Sequence, residues 1–160
     1  MHIKFLRYDR GMVKRDEWKA DEGILAWSAF LRAHAAVVRR IEADLVVKAR
    51  LPLGWYDVLL ELNAAPGRRM RMQELGEAAV LSRSRVSRIV DELGAAGLTE
   101  RQPNPEDRRS SYATITDEGR RVLRRAAPVY LAAVREHFVA DLSPAQLSAV
   151  RTAMESLLTR

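Results

Sequence analysis

Residues 70–116 restrict the fold more than any other part of the chain, because two short helical segments are followed directly by two strand-like segments. The second helical segment begins at Ser82, whose hydroxyl can accept a hydrogen bond from a free backbone N–H. It ends before Gly97, since glycine readily takes the left-handed conformation that terminates helices. Residues 98–102 and 111–116 favour two strands around a loop. This order predicts a helix-turn-helix followed by a β-hairpin.

The second helical segment has two chemically distinct faces when its residues are placed 100° apart. The apolar face comprises Val86, Ile89, Val90 and Leu93, and the polar face comprises Ser84, Ser87, Arg88 and Asp91, with Arg85 on the flank. The major groove of DNA admits a helix, and there arginine binds guanine or phosphate while serine donates to phosphates or bases. We therefore predict major-groove contacts by Ser82, Ser84, Arg85, Ser87 and Arg88. For this helix taken alone, an ordinary solvated surface is the alternative.

The loop of the predicted hairpin carries arginines at a turn stiffened by proline. Pro103 and Pro105 restrict its backbone, and Arg108 and Arg109 follow at the tip. A rigid loop of this kind can place arginine in a narrow minor groove, where the negative potential is enhanced. Asp107 either orients Arg109 through an ion pair or belongs to a solvated run of charges. We predict that Asp107, Arg108 and Arg109 form a minor-groove contact.

Residues 21–48 show the apolar spacing of a long helix that packs against another helix. Ile24, Leu31, Val38 and Leu45 are seven apart, and Trp27, His34 and Ile41 follow the first three of them by three residues. A narrow heptad stripe of this length favours a partner helix, which a second chain can supply. His34 lies on the stripe and is expected to be packed and hydrogen-bonded, with a ligand-facing histidine as the alternative.

Further helices are expected on both sides of the helix-turn-helix. One follows Pro52 and ends in the turn at residues 65–67, and another begins after Thr116, which can cap it. Residues 143–146 form a capping box with proline at the first helical position, so they predict the start of a last helix.

Composition narrows the classes of function. The net charge of +6 and the pI near 10.1 favour polyanionic partners. The absence of cysteine excludes disulfides, thiolate redox sensing and cysteine-based zinc sites. The histidines, His2, His34 and His137, lack metal-ligand spacing, and no nucleotide-binding or hydrolase motif occurs, so we expect no metal, no cofactor and no enzyme activity. The sequence contains no apolar run of about 18 residues and no apolar core of a signal peptide. We therefore expect a cytoplasmic protein with no membrane segment.

Several short motifs occur together between residues 74 and 119. They are Glu74-Leu75-Gly76-Glu77, residues 81–93, Gly97-Leu98, Pro105-Glu106-Asp107-Arg108-Arg109 and Ile115-Thr116-Asp117-Glu118-Gly119. In this combination the chain resembles the MarR family of transcriptional regulators, from about residue 21 to residue 158. The resemblance implies a mostly α fold with a small β-hairpin wing, in which a winged helix-turn-helix is flanked by long N- and C-terminal dimerisation helices. The expected divisions are an N-terminal arm at 1–20, a dimerisation helix at 21–50, a DNA-binding lobe at 51–116 and C-terminal dimerisation helices at 117–160.

The resemblance also implies the mode of action. It implies a homodimer on double-stranded DNA, with Arg109 in the minor groove. The residues implied in the major groove are Ser84, Arg85, Ser87 and Arg88 of the second helix. Family members often bind small, commonly aromatic and anionic, effectors between the DNA-binding lobe and the dimerisation helices. The aromatic residues expected near that junction are Trp27, Phe30, His34, Trp55 and Tyr56, with hydrophobic core as the alternative role for each. Val80 stands where many relatives have a turn glycine, so a different turn geometry is expected.

The hypothesis is a sequence-specific DNA-binding transcriptional regulator, a homodimeric repressor of a palindromic operator that a small ligand releases. The alternatives are a winged-helix protein-interaction module and a non-specific nucleic-acid binder. The groove-facing arginines argue against the first alternative, because acidic residues there would support a loss of DNA binding. RNA readers usually present stacking aromatics, and Tyr112 is the only aromatic residue of the predicted wing.

Overall fold

The computed structural model describes residues 21–104 and 111–159, which are mostly helical with a small antiparallel sheet. The helices are α1 (Glu22–Asp44), α2 (Leu53–Ala64), α3 (Met72–Ala78), α4 (Arg83–Ala95), α5 (Asp117–Val134) and α6 (Pro144–Leu158). The strands are β1 (Arg69–Arg71), β2 (Thr99–Pro103) and β3 (Ser111–Ile115). Turns of π-helix, Leu45–Ala49 and Arg135–Val139, continue α1 and α5. The predicted fold class is confirmed, while the predicted arm at 1–20 lies outside the described residues.

The described residues divide into two compact units, and the division lies between Val38 and Arg39. In the first unit, the carboxylate of Asp21 accepts a hydrogen bond from the N–H of Gly23 at 2.8 Å and so begins α1. The apolar side chains Ile24, Leu25, Trp27 and Phe30 of this unit are exposed. His34 is exposed as well, so the predicted packed and hydrogen-bonded histidine is not found within residues 21–104 and 111–159.

The core of the second unit is formed mainly by one face of each of its short helices. Its fully buried apolar side chains are Leu45, Val58, Leu59, Leu62, Leu75, Val86, Val90 and Leu93. Within α2 and α4 these residues recur at spacings of three and four, which is the pattern of a helix with one buried face. Each such side chain contributes roughly 1.5–3 kcal/mol on burial, so this pattern sets the rotation of both helices.

The sheet has the strand order β1–β3–β2, and both strand pairs are antiparallel. β2 and β3 pair from Thr99 opposite Ile115 to Pro103 opposite Ser111, which confirms the predicted hairpin. β1 was not predicted, and it places Met70 opposite Ala113. Because β1 leads directly into α3, the sheet fixes the start of the helix-turn-helix to the wing.

α4 begins and ends as the sequence predicts. The Ser82 hydroxyl oxygen accepts a hydrogen bond from the N–H of Arg85 at 3.3 Å, which makes Ser82 the N-cap. After the helix, the N–H of Leu98 donates to the carbonyl of Leu93 at 2.9 Å, and Gly97 has a φ of 72°. This combination is the Schellman motif, in which a left-handed residue satisfies the last carbonyls of a helix.

The turn between α3 and α4 uses the same type of cap with a different residue. The N–H of Leu81 donates to the carbonyl of Gly76 at 2.8 Å, and that of Val80 donates to Glu77 at 3.2 Å. Val80 has a φ of 52°, and its side chain is 90% exposed. The expected change of turn geometry is therefore wrong. The backbone keeps the left-handed conformation that favours glycine, although a β-branched residue occupies it.

α5 begins at the predicted residue and packs closely on the segment that follows α4. The Thr116 hydroxyl oxygen accepts from the N–H of Gly119 at 3.0 Å and donates to the carbonyl of Gly97 at 2.8 Å. A Cβ on Gly119 would lie 2.2 Å from the carbonyl oxygen of Leu98. Since real side chains do not approach a backbone atom so closely, glycine is required at this contact.

α6 begins with the predicted capping box and buries none of its residues. The Ser143 hydroxyl oxygen accepts from the N–H of Gln146 at 3.3 Å, and the Gln146 side-chain oxygen accepts from the N–H of Ser143 at 2.9 Å. Leu157 and Leu158 are exposed near its end. An apolar helix with no buried residue has a face suited to a partner.

Candidate nucleic-acid interface

α4 presents a polar, partly cationic face to solvent. Its apolar side chains are buried on the opposite face: Val86, Ile89, Val90 and Leu93. Ser84 and Arg85 are exposed, and the Arg88 side chain is 72% exposed. The predicted major-groove residues therefore share an accessible face, except that Ser87 is half-buried.

The N-terminal end of α4 brings two hydroxyls together. The hydroxyl oxygens of Ser82 and Ser84 are 3.3 Å apart, and Ser82 also accepts from the backbone of Arg85. Because the cap uses Ser82 as an acceptor, its hydroxyl hydrogen is left to donate either to Ser84 or to a bound anion. The helix dipole also favours an anion at this end. This end of α4 therefore suits a phosphate.

Arg101 of β2 lies across the polar face of α4 and was not predicted as a site residue. Its Nη2 atom donates to the Ser87 hydroxyl oxygen at 2.9 Å and lies 3.1 Å from an Asp91 carboxylate oxygen. This contact pairs the negative charge of Asp91, which would otherwise repel a phosphate. It also uses one of the two acceptor lone pairs of the Ser87 oxygen, so Ser87 keeps its hydroxyl hydrogen and one lone pair for DNA.

Glu92 connects the polar face of α4 to α2. The indole N–H of Trp55 donates to Glu92 Oε2 at 3.1 Å. The other carboxylate oxygen, Oε1, lies 3.7 Å from Arg88 Nε, one helical turn away. Glu92 is therefore shared between an aromatic residue of α2 and an arginine that is predicted to bind DNA.

A second cationic group lies on the sheet beside the wing. The guanidinium carbons of Arg69 and Arg71 are 4.9 and 5.9 Å from the centre of the Tyr112 ring. Arg71 Nε also donates to the Tyr112 hydroxyl at 3.3 Å. Guanidinium groups stack favourably on aromatic faces, so Tyr112 holds both arginines next to the hairpin.

The predicted wing residues, Asp107, Arg108 and Arg109, lie outside the described residues. The structure does define both ends of their loop, because Pro103 ends β2 and Ser111 begins β3 directly opposite it. The minor-groove contact stays a prediction.

Asp57 on α2 is a half-buried carboxyl group in the field of α4. Burial raises the pKa of Asp57 to about 6, with smaller contributions from the charges of Glu61 and Glu42. The positive charge of Arg85 acts in the opposite direction. Asp57 therefore changes its charge not far below neutral pH, and this charge acts on a residue predicted to bind DNA.

The predicted effector residues are distributed over both units. In the first unit, the ring centres of Trp27 and Phe30 are 5.8 Å apart, and those of Phe30 and His34 are 6.1 Å apart. In the second unit, Tyr56 is buried and stacks on Tyr130 at 4.5 Å. Tyr56 therefore takes the alternative role in the hydrophobic core.

Trp55, the remaining predicted effector residue, lines a cavity of about 450 Å³ in the second unit. Three cationic side chains line the same cavity, together with apolar ones: Lys48, Arg50, Arg125, Leu51, Leu98 and Val122. The volume lies within the range of about 300–1,000 Å³ that is usual for small-molecule sites. Of the five residues predicted for an effector, only Trp55 lies here.

One group of described residues brings possible metal ligands together, since single ligand atoms of Asp44, Glu136 and His137 lie within 4.8 Å of one another. His137 Nε2 is 3.0 Å from Asp44 Oδ2, and Lys48 Nζ is 3.0 Å from Asp44 Oδ1. Hydrogen bonds from Lys48 and then from His137 lower the pKa of Asp44. Because both oxygens of Asp44 already have partners, we assign this group as an ion-pair cluster between the ends of α1 and α5.

The sequence model of the MarR family matches residues 51–110, which include α2, the helix-turn-helix and β2. The chain is 34% identical to Sco3205, a MarR family transcriptional regulator from Streptomyces coelicolor whose crystal structure is a complex with DNA. The structural match covers 84% of this chain and 87% of that chain, with a TM-score of 0.77.

Two further matches differ in extent. CouR from Rhodococcus jostii RHA1, solved with bound p-coumaroyl-CoA, is 26% identical, with 89% of this chain and 94% of that chain covered and a TM-score of 0.66. YkoM of Bacillus subtilis, an uncharacterized HTH-type transcriptional regulator, is 31% identical over 74 residues. That match covers 46% of this chain and 47% of YkoM, so the chain spans about half the length of this curated relative. Within the described residues, no helix combines the length and hydrophobicity needed to cross a membrane.

Proposed function

The chain belongs to the MarR family of transcriptional regulators, and from this premise we propose that it is a homodimeric, sequence-specific repressor of a palindromic operator. We further propose that a small ligand releases it from DNA. The observation that carries the proposal is the geometry of α4. Its apolar face is buried, while Ser84, Arg85 and Arg88 are exposed along one side.

This face has the chemistry of a helix that reads the major groove. An exposed arginine can bind guanine through two hydrogen bonds, and the hydroxyls at the helix N-terminus can donate to phosphate. Arg101 pairs with Asp91, so the one acid in the middle of this face is compensated. The likeness to Sco3205, a protein solved in complex with DNA, supports the same use of the helix here.

The proposed dimer accounts for the apolar surface of the outer helices. α6 buries none of its residues, and Trp27 on α1 is 58% exposed. A second copy of the chain would remove such surface from water, which contributes about 25 cal/mol per Å². Two copies would also present two α4 helices to successive major grooves about 34 Å apart, which matches a palindromic operator.

The cavity at Trp55 supports release by a ligand. Its apolar walls suit a ring or short hydrocarbon, and its three cationic side chains suit a carboxylate or phosphate. CouR, solved with p-coumaroyl-CoA, shows that a structural neighbour accommodates an aromatic anion. We therefore expect the effector of this chain to be a small organic anion with an apolar body.

Footprinting of the DNA upstream of the protein's own gene tests the proposed operator. The Arg88→Ala variant should lose about 1–3 kcal/mol of binding free energy, confined to one base position of each half-site. Arg121→Ala on α5 is the matched control, since it removes an exposed arginine that pairs with a nearby glutamate but lies off α4. If both variants weaken binding equally on every sequence, the protein is a non-specific binder. No retardation of any duplex at low salt would instead favour a protein-interaction module.

Sedimentation velocity tests the dimer. Leu157→Glu places a charge on the exposed apolar face of α6 and should convert the protein to a monomer with lost operator affinity. Thr159→Glu adds the same charge two residues away, at a position that is already polar, and should remain dimeric. A Leu157→Glu protein that stays dimeric would remove α6 from the proposed interface.

A further inference from the structure

The cavity and the DNA-facing side of α4 are joined by a short chain of polar contacts. Trp55 lines the cavity, its indole N–H donates to Glu92, and Glu92 also lies beside Arg88. We propose that occupation of the cavity by a small organic anion reaches the DNA-binding face through Trp55, Glu92 and Arg88 of the same chain. This inference rests on the proposed function, because it states how the proposed effector would act on the operator contact.

The cavity holds the charge that an anionic ligand needs. Lys48 and Arg125 each have a carboxylate partner already, since Lys48 lies 3.0 Å from Asp44 and Arg125 lies 3.5 Å from Glu118. Arg50, by contrast, forms no salt bridge with any residue in 21–104 or 111–159. A ligand carboxylate would therefore be attracted first to Arg50, while its apolar part lies against the walls that include Leu51.

The Trp55 ring lines the cavity, while its indole N–H forms a hydrogen bond with a residue that does not line the cavity. The ring contributes to the cavity wall, whereas Nε1 is held 3.1 Å from Glu92 Oε2. Indole is a donor with a single N–H, so the ring cannot turn toward a ligand and keep this bond unchanged. A ligand that turns the ring as it binds therefore weakens the contact between Trp55 and Glu92.

Loss of the hydrogen bond from Trp55 to Glu92 would strengthen the interaction of Glu92 with Arg88. When both donors are present, the carboxylate divides its charge between the indole N–H on Oε2 and the guanidinium 3.7 Å from Oε1. Without the indole, the whole charge is available to Arg88, and the ion pair tightens. An arginine held by a glutamate competes poorly for guanine or phosphate, so the occupied protein binds its operator less tightly.

The first test uses the free protein, so it does not depend on any operator. In ¹⁵N-labelled protein, benzoate should shift the indole N–H resonance of Trp55 and the Nε–H resonance of Arg88. The two signals are assigned by their loss in Trp55→Phe and Arg88→Ala. Benzamide has the same ring without the charge and should cause much smaller shifts. Equal shifts with benzamide would overturn the anionic class of ligand, and no shift of Trp55 with benzoate would overturn the cavity as the site.

Glu92→Gln separates the relay from binding. Its amide oxygen can still accept from Trp55, but its side chain no longer attracts Arg88 as an ion. Benzoate should then shift the Trp55 signal as before and leave the Arg88 signal in place. Glu155→Gln is the matched control, because it neutralises the acid of another i,i+4 arginine–glutamate pair, on α6. If benzoate shifts Arg88 equally in Glu92→Gln and Glu155→Gln, the relay through Glu92 is wrong.

The second test uses the operator found by footprinting. Trp55→Phe should bind it about fivefold more weakly than the unchanged protein, at the lower end of typical coupling between sites, and benzoate should add little further effect. Glu92→Gln should bind it more tightly, since Arg88 is released, and should not respond to benzoate. Full release of both variants by benzoate would refute the relay while leaving the repressor proposal intact. A protein that binds no operator would refute the repressor proposal, and the resonance shifts would still decide the relay.

Discussion

Replacing Val80 with glycine measures the strain in the turn of the helix-turn-helix. Val80 has a φ of 52° and donates to the Glu77 carbonyl at 3.2 Å, while its side chain is 90% exposed and so contributes little packing. A left-handed conformation costs an L-residue roughly 1–2 kcal/mol, which glycine avoids. Glycine also lowers the free energy of unfolding by about 0.4–1 kcal/mol, because it gives the unfolded chain more conformational freedom. The Val80→Gly variant should therefore be more stable by about 0.5–1 kcal/mol.

Replacing Gly97 with valine is the reverse substitution, in the cap of the same type that ends α4. Its φ is 72°, and a Cβ built on it meets no atom within 4 Å, so a side chain there adds backbone strain without a clash. Gly97→Val should lose about as much stability as Val80→Gly gains. At a fixed protein concentration, the two melting temperatures should move in opposite directions by about 2–4 °C per kcal/mol. If Val80→Gly melts at or below the temperature of the unchanged protein, the cost assigned to the left-handed valine is wrong.

Two further changes test other parts of the second unit. Gly119→Ala should lose at least about 2 kcal/mol in urea unfolding, because its Cβ would lie 2.2 Å from the Leu98 carbonyl oxygen. The control Gly94→Ala meets only ordinary contacts at 3.8 Å and should gain up to about 1 kcal/mol through helix propensity; equal effects would refute the close contact. Asp57→Asn should stabilise the protein by about 1–2 kcal/mol at pH 7.5 and not at pH 3.5. The pKa of Asp57 is raised from 3.8 to about 6 in the folded state, so its stabilising contribution is complete below pH 3.8 and is lost as the pH rises through 6. Urea unfolding at the two pH values measures this difference, and an equal gain at both would refute it.

The sequence predicts correctly those parts of the fold that depend on interactions between residues close together in the chain. Ser82 caps α4, Thr116 caps α5, and residues 143–146 form a capping box, because each of these bonds closes within a few residues. The buried face of α4 follows from its spacing alone, since a helix turns 100° per residue.

The site could be predicted only in part, because its decisive contacts join distant segments. Arg101 reaches Ser87 across 14 positions, and Trp55 reaches Glu92 across 37 positions. No periodic pattern encodes such a pairing, which depends on how α2 and β2 pack against α4. The strand β1 was missed for a similar reason, since its three residues are a strand only through their pairing with β3.

Val80 shows a different limit of sequence reasoning. A residue without glycine's freedom suggested a different turn, yet the hydrogen bonds from Leu81 and Val80 to α3 require the left-handed conformation. The packed helices on both sides fix the turn, and the local preference of one exposed residue is too weak to change it.

The acids of α4 help to explain where along the helix DNA contact is expected. Asp91 and Glu92 occupy its C-terminal half, where two negative charges would oppose a polyanion. Both have partners from outside the helix, Arg101 for Asp91 and Trp55 for Glu92, so this half is anchored to the rest of the second unit. The N-terminal half has no acidic residue from Ser82 to Arg88. It also contains the N-terminus of the helix, where the positive end of the helix dipole favours an anion. Arg88 lies at the boundary between the halves, one turn from Glu92, and is therefore the position at which a change inside the unit can alter the proposed contact with DNA.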